Sequence, residues 1–322
     1  MIEITHLVKK YGQNYAVNDI SFSVNEGEVL GFLGPNGAGK TTTMNILTGY
    51  LSATAGNAKI AGIDILENPM EAKKHIGFLP EHPPLYQDMT VKEYLNFVYN
   101  LKKCTLNRKA HLEEICGVIR IEDVYKRPIS HLSKGYRQRV GIAQALIGNP
   151  DVLIFDEPTV GLDPKQIVEI RNLITGLGKK HTIILSSHIL PEVQSVCGRI
   201  VIINKGKIVA DAKTDELEVL TGSRKLVAKI TGKPQEISNL LSSIPGVTSC
   251  EVLAERDGDA YSYLLESQND TDIRKMLFSK VASAGQFLIG LEPVGANLED
   301  VFISLTGAAD KTEKTSDAEG RS

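Results

Sequence analysis

The sequence contains no apolar run long enough to cross a membrane. A spanning helix needs about 20 consecutive, mostly apolar residues, whereas the longest apolar runs, at 152–155 and 200–203, are far shorter and rich in β-branched side chains. Short runs of this kind are typical of buried parallel strands. The N-terminus also lacks the basic start and apolar core of a signal peptide. We therefore expect the chain to stay in the cytoplasm.

The four cysteines lack the paired spacing of a metal site or of a disulfide framework, so they are interpreted as ordinary thiols. Charge of one sign is not in excess either. Lys and Arg number 36 against 39 Asp and Glu, which gives a net charge of −3. A chain with this balance has no general attraction to nucleic acid or to an acidic membrane surface. We therefore predict no nucleic-acid partner.

Apolar strands and periodic helices alternate along the first two thirds of the chain. This alternation predicts a wound, largely parallel α/β sheet. Within it, residues 92–119 have helical periodicity, with Tyr94, Leu95, Val98 and Leu101 on one predicted face. The sequence thus predicts a first domain over residues 1–215.

The pattern starts again near residue 226, in the order strand, helix, strand, strand, helix, strand. This order is that of a ferredoxin-like fold. We predict a small accessory α+β domain over residues 216–307, ending in a helix at 297–305, with no catalytic residues of its own. The charged tail at 308–322 has no large apolar residue and is predicted to be disordered.

A glycine-rich segment between a predicted strand and a predicted helix matches the pattern G-x-x-x-x-G-K-[ST]. Its glycines allow backbone N–H groups to converge on phosphate oxygens, and the helix start adds a favourable dipole end. Lys40 is predicted to bridge the β- and γ-phosphates of ATP, and the Thr41 hydroxyl to bind Mg²⁺. The predicted phosphate-binding residues are Gly34, Pro35, Asn36, Gly37, Ala38, Gly39, Lys40, Thr41 and Thr42.

Two acids follow the apolar run at 152–155. Asp156 is predicted to hold Mg²⁺, directly or through water. Glu157 is then placed to polarise the water that attacks the γ-phosphate. An acidic pair at a strand end is alone a weak signal, but together with a phosphate-binding loop it predicts nucleotide hydrolysis.

Three further motifs lie in a fixed order around these elements. Residues 132–139 read Leu-Ser-Lys-Gly-Tyr-Arg-Gln-Arg, residues 161–163 read Gly-Leu-Asp, and His188 follows two serines. With the phosphate loop and the acidic strand end, they resemble the signature motif, the D-loop and the switch histidine of ABC ATPases. The resemblance covers residues 1 to about 215.

The resemblance implies a fold and a site. The fold would be a P-loop NTPase cassette with a RecA-like core, an antiparallel β subdomain and an α-helical subdomain at about 82–150. Two cassettes, identical or paralogous, would hold ATP between the phosphate loop of one and the signature helix of the other. The residues implied beyond the phosphate loop are Ser133, Gly135 and Asp163 as nucleotide contacts, His188 as a catalytic partner of Glu157 and Lys40, and Tyr11 stacked on adenine. For Tyr11 the alternative is packing in a core.

Three positions, in two motifs, depart from the pattern of the family. Glu81 stands where the family usually has a glutamine, and a carboxylate accepts hydrogen bonds but cannot donate as an amide does. Glu81 is still predicted to lie in the nucleotide site, where its carboxylate can accept a hydrogen bond from water or approach Mg²⁺. The signature carries Lys134 and Tyr136 where glycine and glutamine are commonest.

The resemblance also implies a function. The chain is predicted to be the ATP-hydrolysing subunit of a transporter, held on the inner face of the cell membrane by a separate permease. The sequence at residues 80–86 and 298–302 is similar to that of ABC-2-type exporter cassettes, including those linked to gliding motility. The alternative is an ABC ATPase outside transport that acts on nucleic acid or the ribosome. A chromosome-maintenance ATPase would need a long coiled coil, which is absent here.

Overall fold

The computed structural model describes residues 1–214, 223–268 and 272–294. They fall into two compact units, the first of which ends at Thr214. The strands of the described residues are β1 (Ile2–Tyr11), β2 (Asn14–Val24), β3 (Val29–Leu33), β4 (Ala55–Ile60), β5 (Ile63–Asp64), β6 (Ile76–Leu79), β7 (Val152–Asp156), β8 (Thr182–Ser187), β9 (Arg199–Asn204), β10 (Lys207–Lys213), β11 (Ser223–Thr231), β12 (Val247–Asp257), β13 (Ala260–Gln268) and β14 (Leu288–Val294). Their helices are α1 (Lys40–Leu47), α2 (Pro69–Ala72), α3 (Val91–Leu101), α4 (Arg108–Ile119), α5 (Lys134–Leu146), α6 (Pro164–Leu177), α7 (Leu190–Gln194), α8 (Pro234–Ser242) and α9 (Arg274–Ser283).

The first unit is built on a six-stranded sheet in the order β10-β9-β3-β8-β7-β6. Strands β9, β3, β8, β7 and β6 run parallel, and β10 closes one edge in the antiparallel direction. Every residue of β7 and β8 is buried. Burial on both faces explains why these strands read as unbroken β-branched and aromatic runs.

A second, antiparallel sheet of the first unit has the order β2-β1-β4-β5. Ile2, Ile4 and Leu7 are all buried, although strict alternation would turn Leu7 away from Ile4. The register shifts between Ile4 and Leu7, and His6 has a φ of 48°. A bulge at this point therefore returns Leu7 to the core.

The helices α3, α4 and α5 lie within the helical subdomain predicted at about 82–150. The start of α3 is fixed by a hydrogen-bonded cap. Thr90 accepts from the Glu93 N–H, and the Glu93 carboxylate accepts from the Thr90 N–H, which forms a capping box. Tyr94, Leu95 and Val98 are buried as expected. Leu101, which the period places on the same face, is 68% exposed, because the helix ends at this residue.

The second unit has a four-stranded antiparallel sheet in the order β12-β13-β11-β14. Chain order is β11-α8-β12-β13-α9-β14, which confirms the predicted ferredoxin-like arrangement. Ile237 on α8 and Leu277 on α9 pack with Ile230 and Tyr263 of the sheet in one core. The predicted helix at 297–305 and the predicted disordered tail lie outside the described residues.

The α/β cassette fold with its antiparallel subdomain is thus confirmed. Sequence reasoning missed β4, β5, β10, α2 and α7. The two helices span four and five residues, too short to show a helical period. Within the part of the chain that the structure describes, no helix is both long and apolar enough to span a bilayer.

Candidate nucleotide site

Four neighbouring parallel strands, β3, β8, β7 and β6, end at the same edge of the large sheet. The phosphate loop follows β3, His188 follows β8, Asp156 and Glu157 end β7, and Glu81 comes shortly after β6. Ligands of open α/β sheets bind outside the carboxyl ends of the strands. The topology therefore gathers the predicted residues at the edge where a nucleotide can bind.

The phosphate loop requires glycine at position 39 for two reasons. Gly39 caps α1 with a φ of 112°, in the left-handed region that side chains rarely adopt. A Cβ at this position would also lie 2.4 Å from the Ala16 carbonyl oxygen. The loop is thus packed directly against the backbone of β2.

A turn between β9 and β10 supports the other side of the same loop. Gly206 donates its N–H to the Ala38 carbonyl at 2.9 Å and accepts from the Asn18 N–H at 2.8 Å. Its φ is 77°, and a Cβ there would lie 3.1 Å from the Ala16 carbonyl oxygen. The loop is therefore held between a strand and a turn, with its backbone geometry fixed before any ligand binds.

Lys40 begins α1, and its ammonium lies inside the loop. Its Nζ donates to the Gly34 carbonyl at 2.8 Å and lies 3.3 Å from Oε1 of Glu157. Both side chains are 6% exposed. A buried charge is tolerated when it is paired and hydrogen-bonded, so Lys40 and Glu157 neutralise each other in this structure.

Glu157 also contacts the switch histidine. Its Oε2 lies 2.9 Å from Nδ1 of His188. A carboxylate only accepts, so Nδ1 carries the proton of this hydrogen bond and Nε2 remains for another partner. Lys40, Glu157 and His188, the three residues predicted to be catalytic, thus form one chain of contacts.

Asp156 is 1% exposed. Burial raises the pKa of its carboxyl, the Ser186 and Thr41 hydroxyls lower it, and the charges of Glu157 and Glu81 raise it further. Ser186 donates to Oδ1, whereas Oδ2 has no hydrogen-bond partner among the described residues. A buried carboxylate oxygen without a partner is suited to a cation.

The residues present fit a Mg²⁺ ion bound together with a nucleotide. Thr41 and Asp156 would supply two oxygen ligands, and Mg²⁺ in phosphate sites takes its remaining ligands from phosphates and water. Among the described residues, no group of three or more His, Cys, Asp or Glu side chains could hold a metal alone. Glu81, with its side chain 40% exposed, lies near enough for its charge to raise the pKa of Asp156.

Tyr11 is the last residue of β1, and its side chain is half exposed rather than buried in a core. The Lys9 ammonium lies 5.4 Å from the ring centroid. The ring therefore retains an accessible face, which stacking on a base requires. Thr42, on the first turn of α1, is half-buried.

The signature residues lie on a different part of the first unit. Ser133 caps α5 and accepts from the Tyr136 N–H at 3.3 Å. Gly135 is buried against the side chain of Gln166, and Asp163 caps α6 by accepting from the Gln166 N–H at 2.9 Å. Among the described residues, no hydrogen bond or ion pair connects Ser133, Gly135 or Asp163 with the phosphate loop of the same chain.

Sequence reasoning missed Ser186, whose hydroxyl contacts Asp156 and the backbone of Glu157. The available signal was its place two residues before His188, at the end of a buried strand. A serine in a run of apolar residues has to find a partner, because a buried hydroxyl without one is costly.

Comparison with known proteins decides the family. The model of the ABC transporter family matches residues 17–160. The bacitracin transport ATP-binding protein BcrA of Bacillus licheniformis is 38% identical over 220 residues, which cover 68% of this chain and 71% of BcrA. The chain belongs to the ABC transporter ATP-binding family. The linearmycin resistance ATP-binding protein LnrL of Bacillus subtilis is 32% identical over 318 residues, 95% of this ABC cassette chain and 98% of LnrL.

The solved structures place this ABC protein among nucleotide-binding cassettes. A dimeric bacterial ABC transporter cassette is 26% identical, with a TM-score of 0.61, and the match covers 66% of this chain and 99% of that one. The same cassette has a dimeric post-hydrolysis structure bound to ADP and Pi, matched at the same identity and TM-score. This chain is therefore similar to cassettes that bind nucleotide as dimers.

Proposed function

We propose that this ABC protein is the ATP-binding and ATP-hydrolysing subunit of a transporter. The observation that carries the proposal is the convergence of Lys40, Asp156, Glu157 and His188 at one sheet edge beside the phosphate loop. These residue types are the ones that phosphoryl transfer to water requires: a cation for the phosphates, an acid for the metal and a base for the water.

The chemistry follows from the contacts of each side chain. Lys40 exchanges its carbonyl contacts for the β- and γ-phosphates of ATP and releases Glu157 from its ion pair. Glu157 then accepts the proton of the attacking water, while Nδ1 of His188 donates to the other carboxylate oxygen and keeps Glu157 oriented. Mg²⁺, held by Thr41 and Asp156, supplies positive charge to the phosphate oxygens when bound.

The site is completed by a second cassette. Ser133, Gly135 and Asp163 have no hydrogen bond or ion pair with the phosphate loop of their own chain in the described residues, and the related solved cassette is dimeric. We propose that they contact nucleotide held by the other chain, whether a second copy or a paralogue. Tyr11 stacks on adenine, and Glu81 contacts the water that surrounds Mg²⁺.

The transport role rests on the relatives. BcrA is named for bacitracin transport and LnrL for linearmycin resistance. These names favour an exporter, and we propose an ABC-2-type system in which a separate permease holds this chain at the inner membrane face. The domain limits of 1–215, 216–307 and 308–322 stay a prediction, and we propose that the second unit is an accessory domain without catalytic residues.

The test of the catalytic assignment is Glu157→Gln. The variant is expected to keep ATP binding, to lose hydrolysis by about 100-fold or more, and to accumulate an ATP-bound dimer measurable by size-exclusion chromatography. Glu71→Gln, at an exposed acid paired with Lys74, is the matched control and should retain wild-type turnover. Near-normal hydrolysis by Glu157→Gln would contradict the role of Glu157 as the base.

The transport assignment has a separate test. Coexpression with a candidate ABC-2-type permease is expected to move this chain into the membrane fraction and to change its ATPase rate. If RNA or DNA stimulated hydrolysis and the permease did not, the chain would act on nucleic acid or the ribosome, and the transport proposal would be wrong.

A further inference from the structure

Ser186 contacts both acids at the end of β7. The parallel register of β7 and β8 pairs Ser186 directly with Asp156. Its side chain has no exposed surface. Because paired residues of neighbouring strands project from the same face of a sheet, the sheet itself fixes the hydroxyl beside the carboxylate, without the freedom of a loop.

The direction of each hydrogen bond follows from the groups involved. The backbone N–H of Glu157 can only donate, and Oγ of Ser186 accepts it at 3.0 Å. The single proton of the hydroxyl is then left for Oδ1 of Asp156. Oδ2 of Asp156 has no partner among the described residues. The Ser186 hydroxyl therefore engages Oδ1 of Asp156 and leaves Oδ2 available.

The backbone of Glu157 adds a second observation. Its φ is 49°, in the left-handed region that residues other than glycine seldom occupy. The same N–H that reaches Oγ of Ser186 also lies 3.2 Å from the Ser186 carbonyl oxygen. Such a conformation persists only where surrounding contacts hold it, and here both contacts come from residue 186.

We infer that Ser186 is a positioning residue for the two acids. It orients Asp156 so that Oδ2 is free for Mg²⁺, and it holds the Glu157 backbone so that the carboxylate lies between Lys40 and His188. The inference rests on the proposed ATPase function and adds to it a role for Ser186, to which the sequence analysis gave none.

Ser186→Ala removes the hydroxyl and both of its hydrogen bonds. Ser187→Ala is the matched control, because Ser187 is similarly buried, but among the described residues its hydroxyl accepts from the Ile189 N–H at 3.0 Å and contacts neither acid. A fluorescent ATP analogue is titrated against both variants and the wild type, first with EDTA and then with increasing Mg²⁺. Turnover of ATP at saturating Mg²⁺ is measured in parallel.

Ser186→Ala is expected to bind the analogue in EDTA within twofold of the wild type. Its Mg²⁺ requirement should rise by about 10- to 100-fold, the usual effect of losing a group that orients a metal ligand. Turnover should also fall at saturating Mg²⁺, because the Glu157 backbone has lost its support. Ser187→Ala should match the wild type in all three measurements.

Two results would overturn the inference. One is an unchanged Mg²⁺ requirement and turnover in Ser186→Ala. The other is loss of binding already in EDTA, which would show a role in folding rather than in positioning. Failure of the wild type itself to bind ATP would instead refute the proposed function, so the two failures are distinguishable.

Discussion

The two units of the chain differ in the kind of polar side chain that they bury. The first unit buries the charged side chains of Lys40, Asp156, Glu157 and Glu192. The described residues of the second unit bury no charged side chain, and their buried polar residues carry only hydroxyls: Thr231, Ser262, Ser267 and Tyr263. Removing an ion from water costs several kcal/mol even in a relaxed protein. The unit that buries ions is the one that contains the proposed nucleotide site.

The largest effect on turnover is expected at Lys40, one of the buried charges of the first unit. Lys40→Ala is expected to reduce turnover on the order of 1000-fold, because the loss removes a preorganised charge from a site of low dielectric and leaves the buried Glu157 without its cation. Steady-state ATPase assays and nucleotide titration measure the effect. Lys74→Ala, at an exposed lysine paired with Glu71, is the control that should change neither. Retained turnover in Lys40→Ala would show that ATP hydrolysis does not need the buried ion pair.

A change in the core of the second unit tests its independence. Leu277 has no exposed surface, so Leu277→Ala is expected to destabilise that unit by about 2–5 kcal/mol, while ATP binding by the first unit stays within twofold. Hydrogen exchange with mass spectrometry reads the two units separately. Phe278→Ala, at the neighbouring residue that is 63% exposed, should have little effect. Loss of ATP binding in Leu277→Ala would show that the second unit belongs to the nucleotide site.

The smallest expected effect concerns His111, a buried group of the first unit outside the nucleotide site. Its Nε2 accepts from the Gly148 N–H at 3.0 Å, and burial lowers the pKa of its imidazole below the usual value. The unfolded chain therefore binds a proton that the folded chain resists, and stability falls as the pH drops below about 6.5. The slope from this group is at most about 1.4 kcal/mol per pH unit.

His111→Gln separates titration from packing. The Gln carbonyl oxygen can still accept from Gly148, but it takes up no proton. Thermal unfolding between pH 7 and pH 5 is expected to show a shallower loss of stability in the variant than in the wild type. Parallel curves would mean that His111 does not contribute to the acid sensitivity.

Motifs with strict spacing could be predicted from the sequence, because a short segment contains all their requirements. The phosphate loop is one example: its glycines, Lys40 and the start of α1 are local features. The ferredoxin-like order of the second unit was also predictable, since each strand and helix has its own period. The elements β5, α2 and α7 could not be predicted, because they span two to five residues and contain neither a repeated period nor a continuous apolar run.

The contacts within the site were harder to predict than its members. The pairing of Lys40 with Glu157 and the link from Ser186 to Asp156 depend on which strands are neighbours and in what register. No spacing along the chain encodes that register, because β7 and β8 are separated by the whole of α6. The sequence therefore predicted which residues meet and left open how they are held.

The turn at Gly206, which supports the back of the phosphate loop, has a practical consequence for labelling this protein. A surface turn is usually a safe place to insert a peptide or attach a fluorophore. Here the N–H of Gly206 is bonded to Ala38, so an insertion at that turn would disturb the loop itself. The turn at Gly258 has nothing within 4 Å of its position for a side chain. A reporter inserted there leaves the cassette intact, whereas one at Gly206 interferes with the nucleotide it was meant to observe.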